Sequence, residues 1–277
     1  MPFKYSIAAS PEHLTYAAPV PLRGSINDCA SVAARLGYSA LELHLTDPAR
    51  YDASAIKRTL EENNLNLSAI ATGMELSRGF CLIDSDNEKR QAAVSRICEH
   101  VDLASGLGSS VIIGCVRGNL SDTERVTGTG ESLVRLQKSI TAVVEYAIEH
   151  GVLVMLEAIN YYVNNYLNTL AETAAFIRSI GSSALRLHAD THHMNISEID
   201  LSAALRETAD LLGYIHYSDS NRLYPGGGNI DFSAITKTLE DIDYCGYISM
   251  EITPFPDSET ASHRAIEYAQ LIEKSRN

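Results

Sequence analysis

Four residues of the kinds that hold cations or move protons each close a short apolar run in the second half of this 277-residue chain: Glu157, Asp190, His216 and Glu251. Val152-Leu153-Val154-Met155-Leu156 leads to Glu157, and Leu185-Arg186-Leu187-His188-Ala189 leads to Asp190. Tyr214-Ile215 precedes His216, and Tyr247-Ile248-Ser249-Met250 precedes Glu251. Their spacing, roughly 26 to 35 residues, is about one strand-plus-helix unit. Successive parallel strands ending in such residues gather them at one mouth of a barrel. A single Glu after a strand is ordinarily a solvated loop residue or a helix cap. Four in register are hard to obtain by chance, so the expectation is one centre for a divalent ion. Two Glu, one Asp and one His form a hard, oxygen-rich set, suited to Mn²⁺ first, then Co²⁺, Mg²⁺ or Zn²⁺.

The elements that must carry these residues follow from periodicity. Strand-like runs fall at 5–9, 40–45, 67–72, 110–115, 152–157, 185–190, 214–217 and 247–251. Helical patterns alternate with them at 26–36, 53–63, 88–105, 131–149, 169–180, 201–212, 232–242 and 259–274. Gly37, Gly106, Gly151, Gly181, Gly213 and Gly246 stand where left-handed helix caps are expected. Eight βα units predict an α/β fold, a (β/α)8 TIM barrel. An open doubly wound sheet is the rival, but no GxGxxG follows the first strand. No linker interrupts the pattern, so residues 1–277 read as a single domain. Long loops at 74–86, 117–130 and 218–230 are expected to wall the site.

Composition bounds the partners. Hydrophobic residues make up 45% and charged residues 21%, enough for a large core. The net charge of −13 and the lack of a basic patch exclude wide nucleic-acid contact. Five scattered cysteines without a CxxC pair read as reduced thiols in a cytoplasmic protein. No signal layout or apolar span of about 20 residues points to a membrane.

Several stretches carry a resemblance. They are Asp190-Thr191-His192-His193-Met194-Asn195, and His216-Tyr217-Ser218-Asp219-Ser220-Asn221-Arg222 with Pro225-Gly226-Gly227-Gly228. To these add Glu157-Ala158-Ile159-Asn160 with Leu167-Asn168-Thr169, and Glu251 at the last strand end. Together they resemble the xylose isomerase-like TIM barrel superfamily, and within it the D-tagatose/D-psicose 3-epimerase group. The resemblance implies a divalent-metal-dependent sugar isomerase or epimerase acting on a ketose or keto-sugar derivative. It implies metal ligands at Glu157, Asp190, His216 and Glu251, with Glu157 and Glu251 as the catalytic acid/base pair. It also implies that His193 and Arg222 grip the substrate near its carbonyl. The chemistry fits the set: two carboxylates trade a proton at the carbon beside a carbonyl, while cationic groups stabilise the enediolate.

This chain departs from the group at Val163, where the epimerases carry a substrate-gripping Glu, and in having no Trp. Both departures turn the expectation away from a free ketohexose. A metal-dependent dehydratase (inosose type) shares the first proton abstraction and remains the alternative. An endonuclease IV-like nuclease would need extra His ligands in the stretches Ala71-Thr72-Gly73 and Gly114-Cys115-Val116, which have none. A non-catalytic binding module would predict a broken quartet. By analogy with such barrels, a homodimer or tetramer is expected.

Other residues have two readings. Glu42 stands between a structural and a pocket role, and His44 leans to the structural one. His192 reads as a loop residue near the site and His188 as a satisfied core histidine. Arg78 and Arg117 read as solvated loop arginines, with a substrate carboxylate or phosphate as the alternative. Gly226–Gly228 forms either a tight turn or a phosphate cradle.

Overall fold

Parallel strands need both faces covered, and in this chain helices cover the outside while closure of the sheet covers the inside. The computed structural model describes residues 3–127 and 130–275. Among the described residues nine strands form: β1 (Lys4–Ser10), β2 (Leu22–Arg23), β3 (Ala40–His44), β4 (Asn66–Ala71), β5 (Ser110–Ile113), β6 (Val154–Glu157), β7 (Leu185–Asp190), β8 (Leu212–Tyr217) and β9 (Tyr247–Met250). All pair in parallel. Because β1 bonds both β3 and β9, the sheet closes into an eight-stranded barrel. The two-residue β2 only extends the end of β1, at Ala9–Leu22 and Ser10–Arg23.

The helices between them are α1 (Ile26–Leu36), α2 (Ala53–Glu62), α3 (Asn87–Leu107), α4 (Asp122–Thr127), α5 (Glu131–Glu149), α6 (Leu170–Ile180), α7 (Thr191–Ser197), α8 (Leu201–Glu207), α9 (Phe232–Asp241) and α10 (Ser258–Lys274). The outward strand residues Leu41, Leu43, Val111, Ile113, Leu187 and Ile215 are fully buried against this helical layer. Each such side chain contributes about 1.5–3 kcal/mol by leaving water. Among the described residues, Ala69, Ala71, Ile112, Met155 and Tyr214 form a small apolar cluster inside the ring. The remaining inward positions include buried Glu42, His44, Glu157, His188, Asp190 and His216.

The eight expected strands all form, with ends shifted by a few residues. The helix expected over 201–212 stops at Glu207, because β8 already begins at Leu212. Two short helices arise outside the expected helical stretches. One is α4; the other is α7, whose first turn is held by Asp190 Oδ1 accepting from the backbone of His192 and His193. Gly37 and Gly181 cap helices in the left-handed conformation as expected, but Gly106 lies inside α3 and the cap is Gly108. Gly213 sits within β8 instead of capping: a Cβ there would come 2.7 Å from Arg186 Cβ, so close strand packing is its reason. Gly246 directly precedes β9 and is not left-handed either. Residues 128 and 129 of the expected 117–130 loop lie outside the described residues, as do 1, 2, 276 and 277. Among the described residues, no helix is long and apolar enough to cross a membrane.

Candidate functional site

Parallel closure brings the carboxyl ends of β6, β7, β8 and β9 together, and with them Glu157, Asp190, His216 and Glu251. His216 Nδ1 stands 3.4 Å from Glu251 Oε2 and 3.5 Å from Asp190 Oδ2, without a hydrogen bond to either. Potential ligand atoms fall into overlapping groups within 4.8 Å: Glu157–Asp190–His193, Glu42–His216–Glu251 and Glu157–His188–His216. The Glu157 carboxylate needs the bare backbone of Gly114, where a Cβ would meet Oε2 at 2.6 Å. Arg222 crosses the cluster, donating from one nitrogen to Asp190 Oδ2 at 2.6 Å and from another to Glu251 Oε2. It reaches there from a left-handed backbone (φ 65°), an uncommon conformation for a residue with a Cβ. Thr253 holds that turn, donating through both N and Oγ1 to the Arg222 carbonyl.

Electrostatics separate the two glutamates. Burial, followed by the charge of Glu251, pushes the Glu157 carboxyl up to about 8. Burial also opposes the charge on Glu251, but Arg222 and His216 outweigh it and hold that carboxyl down at about 2. A pair of acids pushed apart in this way is the usual setting for one proton donor and one acceptor. Burial likewise disfavours charge on His216, and Glu42 and Glu251 reverse that, raising it well above the ordinary range. The cluster therefore holds surplus negative charge that protons and a guanidinium now offset.

The two site histidines are held in opposite senses. His216 Nε2 donates to Glu42 Oε2 at 2.8 Å, which leaves Nδ1 facing Asp190 and Glu251. Glu42 is fully buried and also accepts from His44 Nε2 at 2.7 Å and Tyr214 Oη at 2.8 Å. A carboxylate on the far nitrogen fixes the ring and strengthens the near one as a ligand. Glu42 thus fixes the His216 ring, with His44 buttressing it. In contrast, His193 Nδ1 accepts from Asn160 Nδ2 at 2.6 Å, and Asn160 Oδ1 is occupied by the Tyr162 N–H. That network assigns the proton to His193 Nε2, which points towards Glu157 Oε1 at 3.7 Å. Burial keeps His193 down at about 4, so it is a neutral donor.

Some expectations need correcting. His188 is fully buried, as a core histidine would be, yet neither ring nitrogen has a hydrogen bond. Arg117 is neither solvated nor free for a substrate. It is fully buried and donates to the carbonyls of Glu157, Tyr166 and Leu167 and to Asn164 Oδ1, tying the loop after β6 to the barrel. The glycine stretch cradles no phosphate, because the buried Asp219 carboxylate already accepts from the N–H groups of Gly226 and Ile230. Arg78 is exposed, in line with a solvated residue. His192 is partly buried beside the Asp219 carbonyl. Val163, read as facing the substrate, is 48% exposed on the β6–α6 loop, beside the exposed Tyr161 and Tyr162. Asn160 was missed as the anchor of His193, since only the folded loop brings the two together.

Comparison with known proteins places this geometry in a class. The xylose isomerase-like TIM barrel family matches residues 30–272, and the chain belongs to that family. It is 32% identical over 222 residues to an L-ribulose 3-epimerase of Methylomonas sp. (strain DH-1), covering 79% of this chain and 75% of that one. A solved L-ribulose 3-epimerase superposes with a TM-score of 0.81 at 25% identity, over 98% of this chain and 95% of its own. A 3-dehydro-D-guloside 4-epimerase of Escherichia coli (strain K12) is 35% identical over 113 residues, 41% of this chain and 43% of that protein. The chain is accordingly an enzyme of the isomerase and epimerase kind.

Proposed function

We propose that the protein is a divalent-metal-dependent epimerase of a ketose or keto-sugar derivative, built as one unit over residues 1–277 and working in the cytoplasm. Glu157, Asp190, His216 and Glu251 would hold the ion, Mn²⁺ before Co²⁺, Mg²⁺ or Zn²⁺ by donor type. The reading is carried by one observation: His216 Nδ1 is aimed without a hydrogen bond between two strand-end carboxylates, while Glu42 holds its other nitrogen. When bound, the ion would supply Lewis-acid polarisation of the substrate carbonyl.

The residues of the chain supply the rest. One glutamate removes the proton beside the carbonyl and the other returns one to the opposite face, giving the epimer. In the free chain Glu157, at about 8, is protonated and Glu251, at about 2, ionised near neutral pH, one proton donor beside one acceptor. The Arg222 guanidinium and the His193 Nε2–H donate to the oxygen on which charge develops. The test is a panel of ketoses, keto-glycosides and sugar phosphates in D₂O with Mn²⁺. Deuterium uptake at a single carbon, with recovery of the epimer, is expected. Loss of water from the product would instead support the dehydratase reading, and no exchange with any sugar would overturn both.

A second substrate reading has its own observation. Val163 stands where the epimerases resembled by this chain carry a Glu, and Tyr161 and Tyr162 lie exposed beside it with ring centroids 4.6 Å apart. A keto-glycoside, the kind of compound named for the E. coli relative, would set its non-reacting group against such rings. Free ketohexoses are then expected to turn over about ten- to hundredfold less efficiently than the preferred substrate, the cost of one missing polar contact. Val163→Glu should raise ketohexose kcat/KM. No gain in that variant, together with high ketohexose activity in the native protein, would refute the reading.

Cation binding should also be linked to pH. Glu157 and His216 both have folded-state pKa values above their ordinary ones, so near pH 7 both carry protons. A cation must displace these protons, so apparent affinity should rise with pH as Glu157 titrates near 8. Calorimetry in buffers of different ionisation enthalpy should record net proton release on Mn²⁺ addition at pH 7. Zero release would contradict the ligand assignment.

A further inference from the structure

Glu157, His188 and His216 are neighbours at this centre, and His188 and His216 each keep a ring nitrogen without a hydrogen bond. Arg222 engages Asp190 and Glu251, whereas Glu157 has its nearest ion-pair partner at 3.7 Å, His193 Nε2. His188 is fully buried with neither nitrogen hydrogen-bonded, and His216 Nδ1 lacks a hydrogen bond too. Glu157 and His188 are register partners on β6 and β7, so their side chains leave the barrel wall side by side. The rings of His188 and His216 meet edge to face with centroids 4.1 Å apart. One ligand atom from each of Glu157, His188 and His216 lies within 4.8 Å of the other two. Burying an imidazole with neither nitrogen bonded is costly, and an apolar side chain would fill the space without that cost. The partner that a carboxylate and two imidazoles lack in common is a cation.

We propose that the centre holds a divalent ion in either of two modes that share Glu157 and His216: one completed by Asp190 and Glu251, the other by His188. The inference rests on the reading of Glu157 and His216 as ligands. The first mode is oxygen-rich and suits Mn²⁺ or Mg²⁺. The second offers two imidazoles and one carboxylate, three protein ligands of the type that hold Zn²⁺ with one position open. It leaves the bridge from Arg222 to Asp190 and Glu251 in place, and draws Glu157 and His216 only from their longer contacts, at 3.4–3.7 Å, with His193, Asp190 and Glu251. Zinc is therefore expected to bind tightly and to compete with Mn²⁺ while the substrate-gripping side of the site stays closed by Arg222.

X-ray absorption on the zinc-loaded native protein and His188→Leu counts the imidazoles: two are expected in the native protein and one in the variant, and one in the native protein or an unchanged count in the variant would overturn the proposal. Titration of Zn²⁺ and Mn²⁺ into the native protein and His188→Leu adds a second readout. Zinc affinity should fall about ten- to hundredfold in the variant, the scale of losing a metal-site partner, with Mn²⁺ affinity changed less than about twofold. The Co²⁺-loaded native protein should also show strong tetrahedral-type visible absorption that His188→Leu weakens. Equal zinc affinity and equal spectra would sink the His188 mode while leaving the Mn²⁺ centre intact. Failure of the native protein to bind either ion would sink the centre itself. If His188→Leu does not fold, as judged by circular dichroism, His188→Asn takes its place.

Discussion

Glu251→Gln is expected to lower kcat by about three orders of magnitude, with Glu157→Gln falling within a factor of ten of it. The amide cannot accept a proton at neutral pH, and general acid–base transfer is worth about 10²–10⁴-fold. The two variants should differ in kind. Glu251 is the ionised partner, held down by Arg222 and His216, so its loss removes the base and frees the guanidinium. Glu157 is the protonated partner, so Gln there copies its neutral form and should leave the free protein's stability near native at pH 7. Single-turnover exchange of the substrate proton with D₂O, followed from each epimer, would separate the roles. Each variant should block exchange when starting from the epimer whose proton its glutamate removes. Full exchange in either variant from both epimers would refute the pairing.

Arg222→Ala should lower turnover by about two orders of magnitude, the usual scale for a lost charge-stabilising donor. Divalent-ion affinity in that variant should rise rather than fall. The guanidinium now neutralises Asp190 and Glu251, and its removal leaves two buried carboxylates short of a cation. Arg222→Lys should restore part of the turnover but not the paired geometry, because a single ammonium cannot reproduce the planar fork. Metal content and kcat measured on the same preparations check both statements. Loss of the ion from Arg222→Ala would show that the arginine holds the site together instead of acting on the substrate.

Much of this site was legible in one dimension because it obeys strand arithmetic. A parallel barrel sends every strand end to one mouth, so residues spaced by one βα unit must meet there, and Glu157, Asp190, His216 and Glu251 do. Glu42 carried a usable signal as well. In Leu41-Glu42-Leu43-His44 the polar residues alternate with leucines, which puts Glu42 and His44 on the inward face. Arg117 misled, and Gly226–Gly228 stayed open between a turn and a cradle, because a sequence gives the charge or the flexibility of a loop but not what already occupies it. Backbone carbonyls claim the arginine, and the Asp219 carboxylate claims the loop amides.

The sequence by itself determined the repeat, the barrel and the meeting of the four strand-end residues, since these follow from local periodicity and a fixed rise per residue. Only the tertiary structure decided which nitrogen of each histidine faces the site. Glu42 reaches His216 across 174 positions and Asn160 reaches His193 across 33, and those contacts fix the rings in opposite senses. It also decided the separation of the two glutamates and the isolation of His188. Burial and through-space charge depend on which side chains share a dry volume, and that volume exists only once the barrel has closed.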